Sequence, residues 1–143
     1  MTLKLNSGFE MPSLGFGTAG IKSTDPFYTA LKVGYRHFDT ATIYGNEEFI
    51  GEALVKGITE GLVKRADLFI ATKLWHTDYA DPEAALRLSL KKLQTDYVDL
   101  YLVHWPMNGL IENKVPMHVL WAKMEALVDL GLTRSIGVSN FNI

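Results

Sequence analysis

Apolar residues fall into short clusters separated by segments of helical spacing, and the two kinds alternate from residue 14 onward. Five apolar runs have the length and composition of strands: 14–19, 35–41, 68–75, 98–105 and 135–141. The runs at 68–74 and 98–105 are apolar on both faces, the pattern of parallel strands covered on each side. Between them, Leu86, Leu90 and Leu93 recur at helical intervals with Arg87, Lys91 and Lys92 opposite, and Leu120, Met124, Leu127 and Val128 repeat the pattern. Ile50, Ala53 and Leu54 do the same after Asn46, a predicted cap. Asp25 and Asp81 each precede a proline, which predicts two N-caps with proline at the first helical position, and Gly131 predicts the stop of the fourth helix. Near the start, residues 3–5 and 9–11 flank Asn6-Ser7-Gly8, the chemistry of a hairpin closed by Pro12.

Strict strand-helix alternation predicts an α/β fold with a parallel sheet and right-handed crossovers, either doubly wound or closed into a barrel. The units advance by about thirty residues, and eight of them make up the roughly 250 residues of a (β/α)8 TIM barrel. The 143-residue chain supplies a hairpin, five strands and four helices. The expectation is one domain over residues 1–143, an incomplete barrel.

Composition narrows the function. With 48% hydrophobic and 21% charged residues the chain can bury a core, and a net charge of -2 without any block of like charge argues against a nucleic-acid partner. The absence of cysteine removes disulfides, thiol nucleophiles and Cys-type zinc sites, so redox chemistry would need a borrowed cofactor. Residues 1–8 lack an apolar signal core and no apolar run approaches the ~18 residues of a membrane span, which predicts a cytoplasmic protein without a membrane partner.

One motif invites a different reading. Gly15-Phe16-Gly17-Thr18-Ala19-Gly20 matches G-x-G-x-x-G after an apolar strand, with Asp39 at the end of the next, close to a Rossmann dinucleotide fingerprint. In that fingerprint the glycines open the helix that receives the pyrophosphate, whereas here Ile21 to Thr24 intervene before the predicted cap. The glycines therefore read as a tight strand-to-loop turn, and a Rossmann dehydrogenase requires that turn to lead straight into a helix.

The informative residues are polar groups at strand ends. Asp39 ends the second run, Tyr44 follows in the next loop, Lys73 interrupts the third run and His104 closes the fourth. Singly, each has a structural explanation: a cap or ion pair, a loop aromatic, a paired lysine, a satisfied core histidine. In a parallel barrel all four ends lie on the rim where active sites assemble. There, Asp39 and Lys73 form a pair, Lys73 beside a phenol lowers its pKa, Tyr44 becomes a general acid and His104 orients a carbonyl oxygen. Paired carboxylates, a nucleophile elbow and metal-ligand spacing are all missing, and no metal is expected. His76 and His118 read as solvent-exposed.

These motifs resemble the aldo-keto reductase superfamily, aldose and xylose reductases in particular, over essentially the whole chain. The similarity runs through Gly15 to Thr18, Gly34-Tyr35-Arg36-His37-Phe38-Asp39-Thr40-Ala41, Tyr44-Gly45-Asn46-Glu47, Thr72-Lys73-Leu74-Trp75, Asp99 to Pro106 and Gly137-Val138-Ser139-Asn140-Phe141. It implies NAD(P)H-dependent reduction of aldehydes or ketones, usually with NADPH, NAD being possible. Tyr44 would be the proton donor, Asp39 and Lys73 its partners and His104 the orienting group. It further implies cofactor contacts at Gly17, Thr18, Asp39, Ser139 and Asn140, and a substrate pocket at Ala19, Ile43, Trp75 and Trp105. Ala19 stands where many members carry a pocket tryptophan, and the family's remaining strands are absent. A full-length form is expected to be a monomer or dimer. The alternative is a truncated, inactive half-barrel that self-associates as an interaction module.

Overall fold

The computed structural model describes residues 1–106 and 115–142. Strands β1 (Thr2–Lys4) and β2 (Glu10–Pro12) form the hairpin, antiparallel, with Thr2 opposite Pro12. Five strands then form one parallel sheet in sequence order: β3 (Phe16–Gly17), β4 (His37–Asp39), β5 (Phe69–Leu74), β6 (Val98–Val103) and β7 (Thr133–Val138). Helices α1 (Asp25–Lys32), α2 (Glu47–Thr59), α3 (Pro82–Leu93) and α4 (Met117–Asp129) connect them. The strands are shorter than their apolar runs, but the backbone ladder outlasts them: Thr40 N donates to Ala71 O, His104 N to Leu74 O and Ser139 N to Val103 O. Each bond lies at a C-terminal strand end, so the polar groups there are held by sheet rather than by free loop.

Register divides the two faces. Gly17, Asp39, Ala71, Leu100 and Ser135 are lateral neighbours in one row across the sheet. Side chains alternate along a strand, so Lys73 and its neighbours Leu102 and Gly137 share that face two residues on. The hairpin meets this face near the N-terminal strand ends, with Ser7 Oγ 2.6 Å from Ser135 Oγ and His37 Nδ1 3.0 Å from Pro12 O. The opposite face carries Phe38, Ile70, Leu74, Tyr101 and Val103, which join Leu31, Ile50, Leu86, Leu93, Leu120 and Met124 of the helices in one apolar cluster.

Helix ends show where local reading is incomplete. Asp81 caps α3, its side chain accepting from Ala84 N at 3.0 Å. Asp25 is instead the first residue of α1; Thr24 holds the cap position without a side-chain capping bond, because its hydroxyl donates to Glu52 on α2. Asn46 occupies the cap of α2 yet makes no capping bond. Gly131 stops α4 as expected, with φ of 72° and Leu132 N donating back to Leu127 O. Residues 21–24 separate Gly20 from α1, so the glycine turn does not open a helix and the Rossmann alternative fails on this geometry.

Candidate active site

Asp39 closes β4, Lys73 is next to last in β5, and His104 directly follows β6. Tyr44 ends a one-turn 3-10 helix at Thr42–Tyr44 that leaves the rim after β4 and is closed by Gly45 in the left-handed region. The four predicted residues thus meet at one end of the sheet. Lys73 is 6% exposed, a position that would be costly for an unpaired ammonium. Its Nζ donates to Asp39 Oδ1 at 2.7 Å and to Thr40 O at 2.9 Å, which satisfies the charge. The same Nζ lies 5.4 Å from the centre of the Tyr44 ring.

Tyr44 meets His104 edge to face, ring centres 5.9 Å apart at 83°, and Trp75 meets His104 similarly at 5.1 Å. Burial pushes the His104 imidazole below the usual histidine range; the Lys73 ammonium adds to the shift and the Asp39 carboxylate opposes it. His104 is therefore neutral near pH 7, with its Nδ1 enclosed and without a hydrogen-bond partner among the described residues. Its backbone carbonyl accepts from Asn140 Nδ2 at 2.8 Å, and the same amide donates to Ser139 Oγ at 3.0 Å. Residues 139 and 140 are thereby fixed beside His104.

The remaining predicted residues fall on the same rim in different states of exposure. Gly17 is open, a side chain built there meeting nothing within 4 Å. Thr18 is fully buried and its hydroxyl donates to Asp39 O, so its side chain fastens the turn to β4 from beneath. Ala19 is exposed, as are Ile43 and Trp105, while Trp75 is half-buried. Trp105 is anchored through its carbonyl by Tyr79 Oη, a contact with no local sequence signal. His76 corrects its expected exposure: it is half-buried, its ring 4.4 Å from that of Trp75, because its short 3-10 turn folds back over the strand end. His118 is exposed as expected. Among the described residues, no group of three or more His, Asp or Glu is placed to hold a metal ion, and no helix is long and apolar enough to cross a membrane.

Two residues beside the tetrad went unread as site components. Asn46 Nδ2 donates to Thr18 O at 2.7 Å and to Ile21 O at 3.1 Å, while its Oδ1 accepts from Thr40 Oγ1. Glu47 lies almost fully buried below the turn. The sequence marks Asn46 as a helix cap, and beyond that both residues are signalled only by their place after Tyr44 in the motif.

A parallel sheet backed by helices, a hairpin floor and a Tyr-Lys-Asp-His rim define a class, and comparison with known proteins agrees with it. A model of the aldo/keto reductase family matches residues 14–143. The chain belongs to that family. It is 50% identical to an aldose reductase of Encephalitozoon cuniculi, covering 98% of this chain and 52% of that protein. A probable NAD(P)H-dependent D-xylose reductase of Aspergillus clavatus is 44% identical, with 99% and 50% covered. A Bombyx mori aldo-keto reductase crystallised in complex with NADP superposes with a TM-score of 0.91 at 39% identity, over 99% of this chain and 51% of that one. The fold is accordingly of the (β/α)8-barrel type, and the chain spans about half the length of the curated relatives it matches.

Proposed function

We propose that this chain carries the proton-transfer and nicotinamide-contacting part of an NAD(P)H-dependent reductase of aldehydes or ketones, with Tyr44 as proton donor. The observation that supports it most is the placement of one phenol beside both a buried, paired ammonium and a neutral imidazole. The rim also suits the cofactor named for the relatives: Gly17 leaves open space, its register neighbour Asp39 has a side chain 43% exposed, and Ser139 follows β7 at the same strand end, its N–H bonded to Val103 O. Gly17, Asp39, Ser139 and Asn140 would hold the cofactor, with Thr18 shaping the turn from below. Both Asn140 amide hydrogens are spent within the protein, which leaves its Oδ1 to accept from the nicotinamide carboxamide and the Ser139 hydroxyl proton to donate to it. When bound, a reduced nicotinamide supplies hydride to the carbonyl carbon.

The chain's own residues do the rest. Neutral His104 donates a hydrogen bond to the carbonyl oxygen and fixes its direction. As negative charge develops on that oxygen, the Lys73 ammonium stabilises it and Tyr44 delivers its phenolic proton. Asp39 holds Lys73 in place from the adjacent strand. Ala19, Ile43, Trp75 and Trp105 would form the substrate side. NADPH oxidation with glyceraldehyde tests the assignment: Tyr44→Phe is expected to lower turnover by about 10²–10⁴-fold, and an unchanged rate overturns it.

A second reading is favoured by one observation: among the described residues β3 and β7 each have a single sheet neighbour, and Leu14 before β3 and Val138 at the end of β7 are about half exposed or more. Such edges suit a self-associating module. A folded chain that sediments as dimers or larger species and neither binds nor oxidises NADPH would decide for that reading.

A further inference from the structure

Glu47 is the first residue of α2, three positions after Tyr44, and is 2% exposed. An acidic residue at a helix start ordinarily faces solvent and interacts with the helix dipole. Here the carboxylate is turned inward and bonded to two other elements. Its Oε2 accepts from Thr72 Oγ1 at 2.8 Å and its Oε1 from Ser89 Oγ of α3 at 3.0 Å. Thr72 immediately precedes Lys73 in β5. Thr42, which opens the turn ending at Tyr44, donates to Lys73 O at 2.9 Å and lies 3.4 Å from Ser89 Oγ. The polar cluster therefore joins the base of the Tyr44 turn, the backbone that carries Lys73, and α3.

Burial pushes the Glu47 carboxyl above the usual glutamate range, against the two hydroxyl donors and the Lys92 charge, so desolvation here is substantial. An apolar side chain would fill the same space without that cost. What a carboxylate adds is direction, since two hydrogen bonds fix distance and angle between elements where apolar packing permits sliding. We propose that Glu47 is a positioning residue, whose buried carboxylate locks the Tyr44 turn against β5 and α3 and so keeps the phenol over Lys73 and edge-on to His104. Its relevance to turnover rests on the reading of Tyr44 as proton donor; its effect on geometry does not.

Solution NMR of the folded chain tests it without relying on activity. The wild type and Glu47→Gln, which retains one acceptor and offers an amide to the other hydroxyl, are expected to show nuclear Overhauser contacts between the Tyr44 and His104 rings. Glu47→Ala is expected to lose them, and amide exchange at Tyr44 and Gly45 should accelerate about tenfold or more relative to the amides of β6, with the far-ultraviolet circular dichroism unchanged. Retained ring contacts, or a uniform acceleration of all amides, would overturn the proposal by showing stability alone at stake. Should Glu47→Ala not fold, Ser89→Ala removes one of the two donors and should weaken the same contacts; unchanged contacts there count equally against it. Glyceraldehyde turnover of Tyr44→Phe, measured alongside, separates the two ideas. Full activity in that variant sinks the proton-donor assignment and leaves the NMR result to judge Glu47.

Discussion

Lys73 brings a charge into a strand whose neighbours Thr72 and Leu74 are fully buried, and the structure shows the compensation: the Asp39 carboxylate at the end of the adjacent strand and the carbonyl of Thr40 just after it. Because the Asp39 side chain stays 43% exposed, water can solvate it if its partner is lost. Removing one partner of a pair is costly where the charge left behind is buried, but here that charge is the half-exposed Asp39, so Lys73→Met is expected to shift the unfolding midpoint little, while NADPH-dependent turnover falls by about 10²-fold or more. Parallel thermal melts and rates check the separation. At His104 the pH dependence has a definite sign. Its folded-state pKa is depressed by burial and by Lys73, so between that value and the ordinary one the unfolded chain binds more protons than the folded chain. Stability should rise with pH through that window and be lost on acidification below the ordinary histidine range. His104→Gln should flatten this acid-side fall in melts taken from about pH 7 to 5, and an unaltered profile would refute the assignment.

At the scale of elements, helix starts show which signals are local. Asp25 and Asp81 carry the same residue pair, yet only Asp81 caps, because Thr24 offers its hydroxyl to a neighbouring helix and the start of α1 moves by one residue. The reach of Asn46 to Thr18 and Ile21 is likewise absent from any pattern along α2. Packing of α2 on α3 has a further determinant in Gly51, where a Cβ would lie 2.3 Å from Lys92 O and 2.9 Å from the Leu93 carbonyl carbon. Glycine to alanine inside a helix normally stabilises by about 1 kcal/mol. Gly51→Ala should instead destabilise by about 1–3 kcal/mol, since backbone cannot rotate away as a side chain does. A midpoint of thermal unfolding equal to or above that of the wild type would contradict this.

For the molecule as a whole, the five parallel strands follow one another in sequence order without closing among the described residues, and β3 and β7 remain the outer strands. Edges left unpaired among the described residues, with Leu14 and Val138 exposed at them, favour association through backbone pairing and apolar burial. Sedimentation of the isolated 16.0 kDa chain is expected to show a concentration-dependent shift to dimers or larger species. A monodisperse monomer across the accessible concentration range would count against it. The hairpin sits at the opposite end of the sheet through Ser7 and Pro12, away from the candidate rim at the C-terminal strand ends.

Much of this was determined by the sequence alone. Strand and helix order, the parallel sheet and the gathering of Asp39, Tyr44, Lys73 and His104 at one end follow from periodicities within a few residues and from the rule that parallel strands share an end. Tertiary structure alone decided that Thr18 turns its hydroxyl under the rim, that His76 lies against Trp75, and that Asn46 and Glu47 tie the Tyr44 turn to its surroundings. Apart from Thr40, the partners of Asn46 and Glu47 stand 25 to 42 positions away along the chain. No local pattern encodes such distances, because they arise only when separate β-α units pack against one another.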